Sequence, residues 1–472
     1  MPSSSPPERA LPRLLLAGLS GGSGKTLVSM ALLLRLRRAG VSVRPFKKGP
    51  DYIDAAWLQW ASGQTTRNLD TFLMGSGGVL ASFVQHGIAE GVNLIEGNRG
   101  LYDGFDASGT HSSAALAREL AAPVVLVIDA TKMTRTAAAL VLGCQHLDPA
   151  VDIRGVVLNN VGGHRHESIL RDAIASACSI PVLGAVPRAA SNPLPERHLG
   201  LIPPEEHGET QQLEETILKT IGNRLDLDAL LSIACSAPRL SLVRAEPVAL
   251  PESRGLRIGY FRDSAFNFYY PENLEEIERA GATLIPVSPL RAEAIPDPLH
   301  ALYIGGGFPE THARDLSRNT GLMHSLRAAA DAGLPIYAEC GGLMLLARSL
   351  SWKGDRYPMA GVFPCDVEVC DNPQGHGYSK LRVDARNPFF PEGTLLRGHE
   401  FHYSRLIAGA DTVRTACTVL RGTGVSPGRD FLTVQKVMAG YTHLHALSAP
   451  QWVEGILTAA QRFVGQRNRA SV

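Results

Sequence analysis

The sequence contains no run of around 18 unbroken apolar residues, the length that a membrane-crossing helix requires, so no transmembrane role is expected. Its first apolar run, Leu14 to Ala17, follows a Ser- and Pro-rich start (Met1 to Arg9) and is far too short for the apolar region of a secretory signal. The expected compartment is the cytoplasm. An excess of either charge is also missing: 46 Lys and Arg face 45 Asp and Glu, a formal net charge of +1. That balance offers neither a basic nucleic-acid surface nor an acidic tail, and neither nucleic acid nor membrane is expected as a partner. The seven cysteines (Cys144, Cys178, Cys235, Cys340, Cys365, Cys370 and Cys417) are odd in number and none is spaced CxxC, which argues against a disulfide framework and against a zinc knuckle. Internal repeats and low-complexity segments are lacking as well.

What is present is a chain of 472 residues, 44% apolar and 19% charged. That is too long for one core and suits two globular domains of roughly 200 residues each. The first half alternates short apolar runs with helical stretches. Leu14 to Ala17 leads into a Gly-rich turn and a helix from about Lys25 to Ala39. Val41 to Phe46, Asn93 to Glu96, Pro123 to Asp129 and Ile153 to Asn159 follow as strands. Strands of this kind separated by helices predict a parallel sheet covered on both faces. Pattern quality falls between Arg239 and Gly255, where two prolines and mixed charge suggest a linker. The alternation then restarts with strands at Leu256 to Tyr260, Thr283 to Val287, Ala301 to Ile304 and Leu334 to Ala338, and a helix near Glu272 to Ala280. The expected organisation is therefore α/β in two domains, 11–238 and 256–466, joined by 239–255, with a frayed tail beyond Arg467.

Gly18-Leu19-Ser20-Gly21-Gly22-Ser23-Gly24-Lys25-Thr26 sits between the first strand and the first helix. Successive glycines let backbone N–H groups turn around phosphate oxygens. The helix N-terminus adds positive potential, Lys25 reaches the β and γ phosphates, and Thr26 offers a hydroxyl to Mg²⁺. The strict Walker pattern has four residues between its glycines, whereas five separate Gly18 from Gly24, a variant similar to the loop of dethiobiotin-synthetase-like ligases. Two further segments, Lys47 to Asp54 (KKGPDYID) and Ile95 to Gly104 (IEGNRGLYDG), carry carboxylates at other strand ends. Ligands gather there in an open α/β sheet, and carboxylates suit Mg²⁺ on a triphosphate. Solvated loop charge is the plainer explanation for any single one of these acids.

The second half contains Leu334 to Leu346, LPIYAECGGLMLL. An apolar strand enters a sharp turn at Cys340 and a helix leaves it, an elbow that exposes the thiol, aims the following N–H groups at an oxyanion and favours thiolate through the helix dipole. Gly341 keeps the turn tight. Gly306 and Gly307, in the upstream IGGGFPE, offer a second oxyanion donor. A nucleophilic cysteine needs a base. After a strand-like run within Phe431 to Met438, Gly440-Tyr441-Thr442-His443-Leu444-His445 supplies two candidates, and Gly398 to Ser404 (GHEFHYS) a second group. With 15 histidines in the chain, the residues alone leave that choice open.

In the order SGGSGKT, FKKGPDYID, IEGNRGLYDG, VVLNN, IGGGFPE, AECGGLMLL and GHEFHYS, the chain from about Leu11 to about Phe463 resembles the cobyrinic acid a,c-diamide synthase family. GPDYID together with EFHYS sets this group apart from its sister, cobyric acid synthase. The resemblance implies an ATP-dependent amidoligase domain of P-loop, dethiobiotin-synthetase-like fold, followed by a class I-type glutamine amidotransferase domain. It implies Cys340 as nucleophile and His443 as base. It also implies Gly21, Gly22, Ser23, Gly24, Lys25, Thr26 and Asn159 around the nucleotide, with Asn159 where related ligases read adenine. Thr26, Asp51, Asp54, Glu96 and Asp103 fall around Mg²⁺ and an acyl phosphate. Two departures stand out. Many amidotransferases of this type carry Glu two residues after the base, where this chain has His445, so the third group is open and a Cys–His dyad is an alternative. The segment Cys365 to Lys380 is unusual for the family.

The chemistry implied is glutamine hydrolysis at Cys340 coupled to ATP-dependent amidation of the a and c acetate carboxylates of a corrin-type macrocycle, in cobalamin biosynthesis. ATP, glutamine and the tetrapyrrole are the expected partners, and a homodimer is compatible with the family. Competing expectations are amidation of another tetrapyrrole such as nickel sirohydrochlorin or hydrogenobyrinic acid, a cytidine-triphosphate-synthase-like ligase, and a P-loop nucleotide switch of the chromosome-partitioning kind. A switch has no use for an ECGG elbow.

Overall fold

The computed structural model describes residues 8–188, 194, 196–197, 200–241, 250–409 and 412–470. The chain divides into two compact units, Met1–Glu246 and Pro247–Val472. Leu240–Ser241, placed by sequence in the linker, instead pair antiparallel with Glu8–Arg9 inside the first unit, while 242–249 lie outside the described residues.

The first unit is built on seven parallel strands, in the order Arg67–Leu69, Val43–Lys48, Val92–Gly100, Arg13–Gly18, Val124–Asp129, Ile153–Val161 and Val182–Pro187. Every residue of the central strand Arg13–Gly18 is buried. Leu14 and Leu16 join one core with Leu33, Val125 and Val127. Leu15 and Ala17 join the other with Phe46, Ile95 and Leu126. Alternating side chains on a two-sided sheet require this unbroken apolar run, and each buried leucine contributes about 1.5–3 kcal/mol. Helix Lys25–Arg38 packs on the first of these sheet faces and ends in Arg35, Arg37 and Arg38, which complement its C-terminal dipole. Because the strands are parallel, the loops after Gly18 and Lys48 open at the same edge, as does the far end of the long strand Val92–Gly100.

The second unit has a ten-stranded mixed sheet. Thr283–Val287, Arg257–Phe261, Ala301–Ile304, Ile336–Glu339 and Val437–Gly440 run parallel. Arg429–Val434, Arg414–Arg421, Gly375–Val383, Leu395–His402 and His443–Leu444 continue it antiparallel. The strand-like run expected within Phe431 to Met438 is thus two strands of a hairpin. Only Tyr441 and Thr442 separate the fifth strand in this order from the tenth. So short a connection spans about 10 Å at most, so the antiparallel half must roll back on itself. That closure carries His443 to the carboxyl end of the parallel strands. The last helix, Pro450–Ala470, continues past Arg467, where fraying was expected, and is anchored farther back by Trp452, Val453, Ile456, Leu457 and Ala460, buried along its inner face.

Candidate active sites

In the first unit a cavity of about 990 Å³ opens over the phosphate loop, lined by Gly21, Gly22, Ser23, Gly24, Lys25 and Thr26 and reached by Lys47, Asp54 and Asn159. Gly24 has a φ of 89°, and the Asn159 amide stands where its Cβ would be, so no other residue fits. Asn159 Nδ2 donates to the Ser23 carbonyl at 3.1 Å, which makes this residue a strut of the loop as well as part of the cavity wall. Lys25 Nζ donates to the Ser20 carbonyl at 3.0 Å. Burial lowers its pKa and the neighbouring Lys47 lowers it further.

Lys47 is the residue that sequence reasoning passed over. Its ammonium, fully buried, lies 2.6 Å from Glu96 Oε1, 2.6 Å from Asp54 Oδ2 and 4.0 Å from Asp51 Oδ2. Burial opposes its charge, but Asp54, Glu96 and Asp51 overcome that and hold it above the usual lysine range. Desolvation pushes Asp54 up, yet Lys47 brings it below its ordinary value, while Asp51 is raised by desolvation and by Asp54. The doublet Lys47-Lys48 closing an apolar strand was the available signal. One cation thus already gathers three of the acids expected around Mg²⁺.

Among the described residues no group of three or more His, Cys, Asp or Glu forms a metal cage. Mg²⁺ on a triphosphate needs none, since it keeps several waters and takes one or two carboxylates with the phosphates. The donors fit it: Thr26 Oγ1 lies 3.2 Å from Glu96 Oε1, and Glu96 Oε2 is buried and makes no hydrogen bond of ordinary geometry. Asp103 is placed differently from the other acids. Its Oδ2 accepts the Gly100 N–H at 2.9 Å and closes its own loop, while its charge still acts on Lys25.

In the second unit Cys340 sits between strand Ile336–Glu339 and helix Gly341–Leu346 with φ 48° and ψ −101°, a strained conformation for a non-glycine residue. Its N–H donates to the Gly440 carbonyl at 2.7 Å, which ties the elbow to the strand leading to His443. A Cβ on Gly341 would lie 3.1 Å from the Gly307 nitrogen, so those two residues adjoin. A Cβ on Gly306 would lie 2.6 Å from His443 Cε1 and 3.4 Å from its Nε2. Gly306 therefore makes room for the imidazole. The expectation that the helix dipole favours thiolate is corrected: burial pushes the Cys340 thiol far up, Glu310 adds to this, and the Gly341 N–H opposes it only in part. A six-residue helix cannot offset that desolvation, so the environment favours the thiol over the thiolate.

The segment carrying His443 is held at several points. Asp430 accepts the N–H groups of Tyr441 at 3.1 Å and Thr442 at 3.2 Å. Glu339 Oε1 accepts the Leu444 N–H at 3.0 Å. Asn273 donates to the Leu444 carbonyl and accepts the Ala446 N–H. His443 is buried with its Nδ1 3.4 Å from Glu339 Oε2. Glu339, Asp430 and Asn273 were not singled out from sequence, although a glutamate inside an apolar strand next to Cys340 was the clue for the first.

The two histidines face different carboxylates, His443 toward Glu339 and His445 toward Glu272. The strand ends at Leu444, and His445 begins a turn in which its carbonyl accepts from Ser448 and Ala449. His445 Nε2 faces Glu272 Oε2 at 3.6 Å and its ring lies on Tyr270. In the second candidate group, His399 stacks on His443 at 4.9 Å between centroids, pairs with the Tyr270 hydroxyl, and is held neutral by burial. His402 stacks on Tyr441 and bonds the Ser404 carbonyl. Only His443 of these is packed against Gly306 beside the elbow.

Residues 14–202 match the family model of a CobQ/CobB/MinD/ParA nucleotide binding domain, and 257–451 that of a CobB/CobQ-like glutamine amidotransferase domain. Together with the fold these matches define a glutamine-dependent ligase with a P-loop nucleotide-binding half. A cobyrinate a,c-diamide synthase of Magnetococcus marinus is 42% identical over 94% of this chain and 96% of its own length. Proteins of the same name from Caldanaerobacter subterraneus and Listeria innocua are 40% and 38% identical over 83% and 95% of this chain, and 86% and 100% of their own lengths. The chain belongs to the cobyrinate a,c-diamide synthase family. No helix among the described residues is long and apolar enough to cross a membrane.

Proposed function

We propose that this protein converts cobyrinic acid to its a,c-diamide, using glutamine as nitrogen source and ATP to activate each carboxylate. The observation that carries the reading is a strained, buried cysteine elbow beside a buried histidine in a chain that also holds a GKT phosphate loop over a large cavity. The relatives aligned over nearly the whole chain are cobyrinate a,c-diamide synthases, and they supply the substrate for this reading.

In the second unit, His443 Nε2 takes the Cys340 proton as sulfur attacks the glutamine carboxamide. The oxyanion is received by the backbone N–H groups of Gly341 and Gly307. The same proton passes to the departing nitrogen, ammonia leaves, and a thioester remains. Water then attacks, with His443 again taking a proton, and glutamate is released with the thiol restored. In the first unit, Lys25 and the N–H groups of Gly21 to Thr26 hold the phosphates of ATP. Mg²⁺, held by Thr26 and Glu96, would neutralise developing phosphate charge. Asp51, Asp54, Lys47 and Asp103 border the region where a substrate carboxylate takes the γ-phosphoryl group. Ammonia displaces phosphate from the acyl phosphate and leaves the amide. Oxide is a poor leaving group, and phosphorylation removes that obstacle. The cytoplasm is where ATP and glutamine are available to it.

The test is a substrate panel. Purified protein with ATP, Mg²⁺ and glutamine is given cobyrinic acid, hydrogenobyrinic acid or nickel sirohydrochlorin, and products are weighed by mass spectrometry. Two amides gained on cobyrinic acid are expected; amidation of nickel sirohydrochlorin alone overturns the substrate assignment.

A further inference from the structure

Glutamine amidotransferases that carry a carboxylate two residues after the base use it to orient the imidazole, and that position here is His445. Its side chain is committed elsewhere. Leu447 N–H donates to His445 Nδ1 at 3.2 Å, so this nitrogen is the acceptor and the ring proton sits on Nε2, which faces Glu272. The need for an orienting group remains, because a neutral imidazole has two tautomers and only one leaves Nε2 open to receive the thiol proton.

We propose that Glu339, the residue immediately before the nucleophile, is the positioning carboxylate for His443. This rests on the reading of Cys340 and His443 given above. Glu339 is fully buried, and both of its oxygens are anchored: Oε1 by the Leu444 N–H at 3.0 Å and Oε2 by the Tyr303 hydroxyl at 3.1 Å. Asn273 in turn donates to the Tyr303 hydroxyl at 3.3 Å. The anchored Oε2 stands 3.4 Å from His443 Nδ1, close enough for a bond that tightens when substrate fills the site. Nδ1–H donates to Glu339, and Nε2 is left as the base. When Nε2 takes the thiol proton, the imidazolium faces a carboxylate and is stabilised. When the proton leaves with ammonia, the original tautomer is restored. The acid therefore comes from the strand that delivers the nucleophile, so one short segment, Glu339-Cys340, supplies both the sulfur and the group that steers its base. The sheet register makes this possible: Ile336–Glu339 pairs with Val437–Gly440, pairing Glu339 with Gly440, and His443 follows three residues later.

Glu339→Gln keeps the shape and the acceptor for Leu444 N–H, but its amide N–H₂ toward Nδ1 selects the wrong tautomer. Glutamate release by the full-length enzyme is measured for wild type, Glu339→Gln, Glu339→Asp and Cys340→Ala, with thermal unfolding as a control. The expected result for Glu339→Gln is a fall in kcat of about 10²-fold or more with KM for glutamine within about threefold. Glu339→Asp, one methylene short, is expected to recover part of the loss. A fall in kcat below about tenfold in folded Glu339→Gln overturns the proposal. If that variant does not fold, ¹⁵N NMR of the wild-type histidines decides: His443 protonated on Nδ1 supports the assignment, and His443 protonated on Nε2 overturns it. Glutamate release surviving in Cys340→Ala would instead remove the thiol reading itself, so the two failures are distinguishable.

Discussion

Adding one methyl group at Gly306 tests how closely the site is built. Gly306 lies outside the positive-φ region, so Gly306→Ala brings no backbone strain, only the new Cβ. That atom would stand 2.6 Å from His443 Cε1 and 3.3 Å from Phe268 Cδ2. Ordinary contact begins near 3.4 Å, so the imidazole must retreat by about 0.8 Å. It has little freedom to do so, because Asp430, Asn273 and Glu339 pin the backbone on either side of it. Overpacking of this kind costs about 1–3 kcal/mol of stability. Misplacing a catalytic group by about 1 Å costs on the order of 10²-fold in rate. The expected outcome is a fall of about 10- to 100-fold in kcat for glutamate release, with amidation driven by added ammonium salt continuing. Glutamate release, ammonium-driven amidation and thermal unfolding are measured on the same preparation. Glutamate release within about threefold of wild type would refute the placement of Gly306 against the base.

Cys340→Ala is expected to abolish glutamine use while synthesis with ammonium salt persists, as product mass will report. Lys25→Ala is expected to lose synthesis with either nitrogen source by at least about 10²-fold, because a charge-assisted phosphate contact is removed; ammonium-driven turnover at the wild-type rate would contradict it. His443→Ala is expected to lower glutamate release by orders of magnitude and His445→Ala to do so mildly, and the reverse ranking in the glutaminase assay would exchange their roles. Hydrogen bonds from Arg348 hold Asp366 well below the usual carboxylate range, with Ser349 and Arg356 adding to them. A depressed pKa contributes stability above the unfolded value of about 4 that fades as pH falls below it. Asp366→Asn should therefore be less stable than wild type at neutral pH, and thermal unfolding should show the gap closing in acid.

Much of the first unit's parallel sheet and of the second unit's parallel half was legible in sequence because buried parallel strands read as short, unbroken apolar runs. Leu14 to Ala17 and Ala301 to Ile304 need no partner to be recognised. The antiparallel half was not, since strands such as Gly375–Val383 and Arg414–Arg421 mix polar and apolar residues and are ordered only by pairing across the sheet. The hairpin at Arg429–Val434 and Val437–Gly440 was blurred for the same reason.

At the sites, local chemistry was readable and long-range chemistry was not. The phosphate loop and the ECGG elbow are determined by contiguous residues whose backbone needs, glycine for close approach and a sharp strand-to-helix turn, are written in adjacent letters. The packing of His443 against Gly306, the burial that raises the Cys340 thiol, the Lys47 ammonium among Asp51, Asp54 and Glu96, and the approach of Glu339 to His443 were decided only by tertiary structure. Each depends on desolvation or on a distance between strands far apart in the chain. Neither quantity exists until the sheet has closed and water has been excluded from between its ends.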